Sequence, residues 1–439
     1  MVIQLIGQAS AIIALAVGIF LSIYALRYYV SILRVLVGGI AWSGDQFGNE
    51  WRIGNSSNSF SSLQLKREPF VSIHIPVYNE SRVIERIVKR CASLNYKNYE
   101  VIIVDDSSDE TVETLYKNCT GVPNVKIIHR ANRAGFKGGA LNEALRHTDP
   151  RAEYICVFDA DFVPPPDIIR KMLLYFTNDR VAAVQGYQRH VLNCSENWIT
   201  RGVSAGFSAE YMISRTALQL LGSMRLISGS VFAIRADVLR RYGWSGSITE
   251  DWELSIRLYL DGYKVNYIPF IQAPAECPSK LRELLREFLR WGEGTTFQAR
   301  KYFWRVLRSR KMNLKEKLYF ILTPLRFAQG AALTLQFLSW LISAATGSPL
   351  TPLLLLLILY NASAIHLAVL GGLLMERRAR ENWIVILAAS IYMVTLWAWA
   401  FSGFLKGLFE REEGGWSRTY KTGRITNPEH LRFKAFVGR

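Results

Sequence analysis

Residues Ile3 to Leu26 carry no charged side chain, and an apolar helix of that length can cross a bilayer. Ala328 to Ala345, Pro352 to Met375 and Trp383 to Leu405 repeat the pattern toward the other end. The first run is too long for the apolar core of a signal peptide and no small-residue cleavage site follows it, so it reads as an anchor. The long stretch between the runs has ordinary soluble composition. The chain therefore divides into an N-terminal transmembrane and interfacial helix (1–42), a Ser/Asn/Gly-rich linker (43–69), a soluble domain (70–276), amphipathic interfacial helices (277–317), transmembrane helices (318–408) and a basic C-terminal tail (409–439). That organisation describes a multi-pass integral membrane protein with one inserted domain.

Within a formal net charge of +17, twelve Lys or Arg stand against four Glu between Lys280 and Lys317. A basic block beside membrane spans marks the cytoplasmic face of a cell membrane and attracts anionic lipid headgroups. No nucleic-acid-binding motif accompanies this charge, so nucleic acid is excluded as its partner. Cys91, Cys119, Cys156, Cys194 and Cys277 lack metal-site spacing and read as free thiols. Three single crossings after the domain would leave the basic tail on the far side, against the charge rule. Pro324 and Arg326 also interrupt Leu318 to Ala345.

Within the domain VSIHIPVY, VIIVDD, VKIIH and YICVFDAD are short apolar strands. Helical patterns separate them, from about Ser81 to Ser93, near Glu110 to Lys117, and from Gly139 to Arg146. The alternation argues an α/β fold with a mostly parallel sheet covered by helices. Ligands of such sheets bind beyond the carboxyl ends of the strands. AAVQGY and SGSVFAI supply two further strands. Ser279 to Trp291 is amphipathic, with Leu281, Leu284, Leu285, Phe288 and Leu289 on one stripe. Such a helix either lies flat on the bilayer or packs on the sheet.

The chemistry-bearing residues gather at strand ends. YICVFDAD delivers Asp159 and Asp161 together, which suits a divalent cation held against phosphate oxygens. A turn before Pro164–Pro166 fits the same string, as does a haloacid-dehalogenase-type phosphotransferase with Asp159 as nucleophile. That motif opens its domain, whereas three strand–helix units precede it here. Asp105 and Asp106 end another strand and can accept from a nucleobase or ribose, or Ser107 or Ser108 can cap the following helix. In NRAGFKGGAL, Gly135, Gly138 and Gly139 permit close backbone approach, and Arg133 or Lys137 can meet diphosphate. Glu250 and Asp251 open a helix that runs to Leu260. Ser247 and Glu250 have capping-box spacing, while Asp251 can serve as a general base. Arg290 and Trp291 are interfacial anchors, or a diphosphate partner and a stacking face for a sugar.

Taken in order, PVYNE (Pro76–Glu80), VDDSSD (Val104–Asp109), GFKGGAL (Gly135–Leu141), FDADF (Phe158–Phe162), VQGYQRHVLN (Val184–Asn193), SGSVFAIR (Ser228–Arg235), TEDWELSIRL (Thr249–Leu258) and LRW (Leu289–Trp291) resemble one family. It is the membrane-embedded family 2 glycosyltransferases, which include cellulose, hyaluronan and cellulose-synthase-like mannan synthases. WSRTYKTG (Trp416–Gly423) is similar to a cytosolic segment of that group. The resemblance covers about residues 70 to 310. It implies a Rossmann-like, glycosyltransferase A type nucleotide-sugar fold, Mg2+ or Mn2+, and a UDP- or GDP-hexose donor. The implied reaction is inverting transfer to a growing β-linked glycan. A lipid-linked acceptor, polyprenyl phosphate or glycolipid, is the alternative.

By this resemblance Asp105 and Asp106 hold the nucleobase, and Pro76, Tyr78, Glu80, Lys137, Asp159, Arg290 and Trp291 belong to the donor site. Asp159 and Asp161 hold the metal, and Asp251 is the catalytic base with Glu250 beside it. Gly229, Ser230, Trp252 and Trp291 face the acceptor. Glu287 stands where the family has Gln, giving ExxRW in place of QxxRW. That motif is associated with processive polymerisation, so the departure leaves room for single-sugar transfer.

Overall fold

The computed structural model describes residues 2–37, 41–42, 51–52, 65–119, 121–376, 378, 390, 399–416 and 418–428. The chain enters through one helix, α1 (Val2–Val37), which runs unbroken past Arg27 and Arg34. The domain follows as β1 (Val71–Val77), α2 (Ile84–Ala92), β2 (Tyr99–Asp105), α3 (Thr111–Cys119), β3 (Val125–His129), α4 (Phe136–Arg146), β4 (Tyr154–Val157) and α5 (Ile168–Leu173). Next come β5 (Val181–His190), α6 (Trp198–Ser208), a π-helical turn (Ala209–Arg215), α7 (Thr216–Leu221), β6 (Phe232–Arg235), α8 (Ala236–Tyr242), α9 (Glu250–Leu260) and β7 (Lys264–Ala275). Then follow α10 (Leu281–Arg308), α11 (Leu314–Leu325), a 3-10 turn (Arg326–Ala328), α12 (Gln329–Ala345) and α13 (Thr351–Met375).

The seven strands form one sheet in the order β3-β2-β1-β4-β6-β5-β7. β6 pairs antiparallel with both neighbours, while β1 with β2, β1 with β4, β2 with β3 and β5 with β7 are parallel. Continuous apolar runs suit strands covered on both faces. Ile73, Ile103, Ile87 and Ile168 are buried on one face, and Ile155, Phe232, Leu254 and Tyr259 on the other. β7 carries Pro269 and Pro274, which a central strand rejects but this edge position tolerates. Its ladder with β5 shifts register at Gly186, where an added Cβ would lie 2.5 Å from the Ile271 carbonyl oxygen.

Among the described residues three helical segments are long and apolar enough to cross a membrane: α1, α11–α12 taken together (Leu314–Ala345), and α13. Small residues let them approach closely, as membrane helices require; Gly7 sits against Thr346, and Gly18 against Gln336 and Leu357. Most of the fourth apolar run, Trp383 to Leu405, lies outside the described residues. The stripe of α10 is not left to lipid. Leu284 and Phe288 are buried with Val191, Ile199, Phe327 and Ala400, and the helix continues to Arg308. The tail packs on the domain: Thr426 donates its N–H to Leu192 O at 2.8 Å, and Thr422 and Gly423 donate theirs to Glu276 Oε2 at 3.0 Å each. Domain and tail therefore share one side. All five cysteines are free and buried.

The glycines of GFKGGAL serve protein packing. Gly135 adopts φ +72° ahead of α4, and a Cβ on Gly138 would lie 2.1 Å from the Ser245 carbonyl oxygen. Gly138→Ala is accordingly expected to destabilise the domain by about 1–3 kcal/mol through overpacking. Its unfolding midpoint in detergent should fall, and an unchanged midpoint would count against this contact.

Candidate active site

Four strand ends converge because all strands but β6 run the same way, and β6 enters from the end where they finish. One cavity of about 390 Å³ is lined by Pro76, Tyr78 and Glu80 after β1, by Asp106 after β2, and by Asp159 and Asp161 after β4. Gly229 before β6, Lys137 in α4, Glu250, Asp251 and Trp252 in α9, and Arg290 and Trp291 in α10 complete it. Two expected residues stand behind the wall. Asp105 is fully buried, its Oδ2 on His129 Nδ1 at 2.9 Å and its Oδ1 accepting the Ser107 N–H at 3.0 Å. Ser230 is also fully buried; its Oγ accepts the Asp159 N–H at 2.9 Å and so sets the DAD turn.

The loops are tied to one another. Asn79, at φ 56°, donates its N–H to Ser107 Oγ at 2.7 Å and accepts the Ser108 N–H on Oδ1 at 2.9 Å. Ser107 thus joins two loops instead of capping α3, whose Thr111 N–H goes to Asp109 Oδ1 at 3.0 Å. Arg130 Nε donates to Asp106 Oδ1 at 2.6 Å and Nη2 to Oδ2 at 2.5 Å. The expected capping box at α9 does not form: Ser247 Oγ accepts from Thr249 N at 3.1 Å, and Glu250 turns into the cavity. Val231, a β-branched residue at φ 57°, is held in that unfavourable region by its N–H to Val157 O at 2.9 Å.

Each DAD carboxylate has an ammonium partner. Lys137 Nζ lies 2.6 Å from Asp159 Oδ1 and 3.8 Å from Glu250 Oε1, and donates to Gly229 O at 2.9 Å. Lys421 Nζ lies 2.7 Å from Asp161 Oδ2. Burial opposes the charge of both lysines, but the facing carboxylates prevail and hold their pKa values above the ordinary range. Asp161 is held below its ordinary value: Lys421 and Arg86 outweigh its burial. On α9 burial dominates. It pushes Glu250 up to about 7 against the pull of Lys137, and raises Asp251 as well. Asp251 Oδ1 accepts the Trp252 N–H at 2.7 Å, while Oδ2 faces Gly229, where a Cβ would come within 3.3 Å of it.

The mouth is built of cations on aromatic faces. The Arg133 guanidinium lies 3.4 Å from the Tyr78 ring centroid and 4.5 Å from that of Trp416, and Arg290 lies 5.3 Å from Trp416. Arg130, Lys421 and Glu276 were missed from the sequence. The first carries no motif, and the other two act across the chain: Glu276 joins Arg86 of α2 at 2.8 Å to the tail amides.

Residues 72–243 match the family model described as Glycosyl transferase family 2. The chain is 30% identical to glucomannan 4-beta-mannosyltransferase 7 of Arabidopsis thaliana over 58% of this chain and 47% of that protein. It is 32% identical to beta-monoglucosyldiacylglycerol synthase of Trichormus variabilis over 58% of this chain and 55% of that one. The chain spans about half the length of the curated relatives it matches. Among solved structures, the mannosyltransferase PcManGT from Pyrobaculum calidifontis, in complex with GDP-Man and Mn2+, superposes with a TM-score of 0.60 at 19% identity, covering 92% of this chain and 100% of that one. The shared fold is the glycosyltransferase A type.

Burial raises the Glu80 carboxyl from 4.5 to about 8, against Arg418 and Lys421. A carboxyl whose folded pKa is raised contributes stability below its unfolded pKa that is lost as pH climbs through the folded one. Glu80→Gln should therefore keep its unfolding midpoint better than the parent as pH rises from 4.5 toward about 8. Parallel curves for the two proteins would show that Glu80 does not titrate in this window.

Proposed function

We propose that this chain, which carries a family 2 glycosyltransferase domain, moves a hexose from a nucleoside-diphosphate donor to an acceptor presented from the membrane, with inversion. The observation that carries the reading is one cavity holding Asp106, Asp159, Asp161 and Asp251 together and continuing to Arg27, Arg326 and Ile365 of the apolar helices. The first acceptor is a growing β-linked glycan, the donor a UDP- or GDP-hexose, and the domain faces the cytoplasm.

Asp159 and Asp161 fit a hard cation such as Mg2+ or Mn2+. Both carboxylates line the cavity and each already faces a positive charge. Among the described residues no group of three or more His, Cys, Asp or Glu forms a complete ligand set, which leaves further positions to substrate phosphate. When bound, the cation supplies Lewis-acid neutralisation of the diphosphate. Lys137 and Arg290 add fixed positive charge where the leaving group gains electrons. Tyr78 and Trp416 offer flat faces for a base or a sugar. Asp251 Oδ2 takes the proton of the acceptor hydroxyl; the oxygen attacks the anomeric carbon from the face opposite the diphosphate, and the bond from that carbon to the diphosphate oxygen breaks, its electron pair leaving with the nucleoside diphosphate. Burial raises the basicity of Asp251, bringing it nearer the working pH.

A lipid-linked acceptor is the second reading, favoured by the charged groups Arg27, Glu210 and Arg326 at the membrane end of the cavity, which a neutral glycan does not need. Product length from one labelled donor separates the two.

Asp251→Asn should cut nucleoside-diphosphate release by about 10²–10⁴-fold while calorimetry shows donor binding nearly intact; retained turnover would refute the base. Excess chelator should stop transfer, and Asp161→Ala should weaken donor binding in the presence of metal. Undiminished transfer in chelator would remove the cation from the mechanism.

A further inference from the structure

A second concentration of charge lies where the domain meets the apolar helices. Arg27 is the first charged side chain after the uncharged opening of α1, and Arg326 is the last before an uncharged stretch that reaches Glu376, His366 aside. Both stand where hydrocarbon gives way to headgroups. The π-helical turn sets residues five apart on one face, so Arg215 Nε comes 3.2 Å from Glu210 Oε1. Arg326 Nη1 is 3.9 Å from the same oxygen, and Arg27 faces the same carboxylate.

Two guanidinium groups thus meet one carboxylate, and that of Arg27 lines the same cavity. Arg27 makes no ion pair among the described residues. A surplus of positive charge walled into a cavity at the edge of the apolar layer favours an anionic ligand. Beside the catalytic cavity, a smaller one of about 260 Å³ shares Arg27, Glu210, Ser214 and Arg326 with it. Ile23, Leu26 and Val30 wall the smaller cavity and are 52%, 54% and 40% exposed, so its flank opens toward acyl chains. On the other side Arg215 donates to Ser228 Oγ, next to Gly229 and Asp251.

We propose that Arg27, Arg215 and Arg326 bind the phosphate of an anionic lipid, whose chain enters along Ile23, Leu26 and Val30 of α1. Guanidinium forks match phosphate oxygens in pairs, which a carboxylate or hydroxyl ligand does not exploit as fully. Glu210 holds Arg215 and Arg326 in place and limits the surplus charge. The site lies at the membrane end of the cavity that holds Asp251 and so deepens the lipid-linked reading, but its test reads binding alone, and transfer can fail while the site stands.

The full chain in phosphatidylcholine nanodiscs, with or without phosphatidic acid, is followed by native mass spectrometry and by its unfolding midpoint. Phosphatidic acid should be retained selectively and raise the midpoint. Arg27→Gln and Arg326→Gln should each weaken retention about tenfold or more, as expected for losing a charge-assisted hydrogen bond, and Arg27→Lys, which keeps the charge but not the fork, should keep only part of it. If Arg326→Gln does not fold, Arg27→Gln decides alone. Equal retention by the Gln variants and the parent would overturn the site. An equal midpoint shift with inorganic phosphate alone would overturn its assignment to a lipid.

Discussion

Carboxylates gathered into one buried cavity repel each other, and desolvation compounds the repulsion. Every acid here therefore needs a nearby cation or must hold its proton. Asp106 has Arg130, Asp159 has Lys137 and Asp161 has Lys421. Glu250 and Asp251 lie farther from their cations and shift upward in pKa instead. The division is chemically sensible. The strand-end acids Asp106, Asp159 and Asp161 are each paired with a cation, and the helix-start acids are kept basic by burial. Both kinds come from loops fixed by side chain to backbone hydrogen bonds, such as Ser230 to Asp159 and Asn79 to Ser107.

The same requirement explains how the domain is joined to its apolar helices. α10 buries Leu284 and Phe288 against the domain while presenting Arg290 and Trp291 to the cavity. Trp252 of α9 donates its indole N–H to Thr295 O of α10 at 3.2 Å, so the helix that carries Asp251 is anchored to the connector. Glycines at the far side of α10 complete the seam: Gly292 and Gly403 admit the helical stretch 399–409 at backbone distance. One helix, α10, thus ties the cavity to the apolar helices.

Much of this was legible in residue order. Apolar strands that end in acids located the carboxyl edge, and the alternation with helices fixed a mostly parallel sheet. β7 was missed because Pro269 and Pro274 disguise an edge strand. The capping readings of Ser107 and Ser247 failed because those hydroxyls reach across loops. Gly138 spoke of close approach, but the partner is Ser245 and not a phosphate. Glu210 and Arg215 were unreadable, since a π-helical turn breaks the 3.6-residue period on which helix faces are drawn. Lys421 lies too far along the chain from Asp161 for any local pattern to pair them.

Trp416, Arg418 and Lys421 follow the membrane helices in the chain, yet they close the cleft of a domain made long before them. During translation that domain leaves the ribosome with Asp161 and Glu80 bare of these cations. The acid-rich cleft becomes electrostatically balanced only once the helices have been inserted and the chain has come back to the domain's side. A chain whose apolar helices are misplaced is left with Asp161 without Lys421 and Glu80 without Arg418, and its cleft stays open on that side.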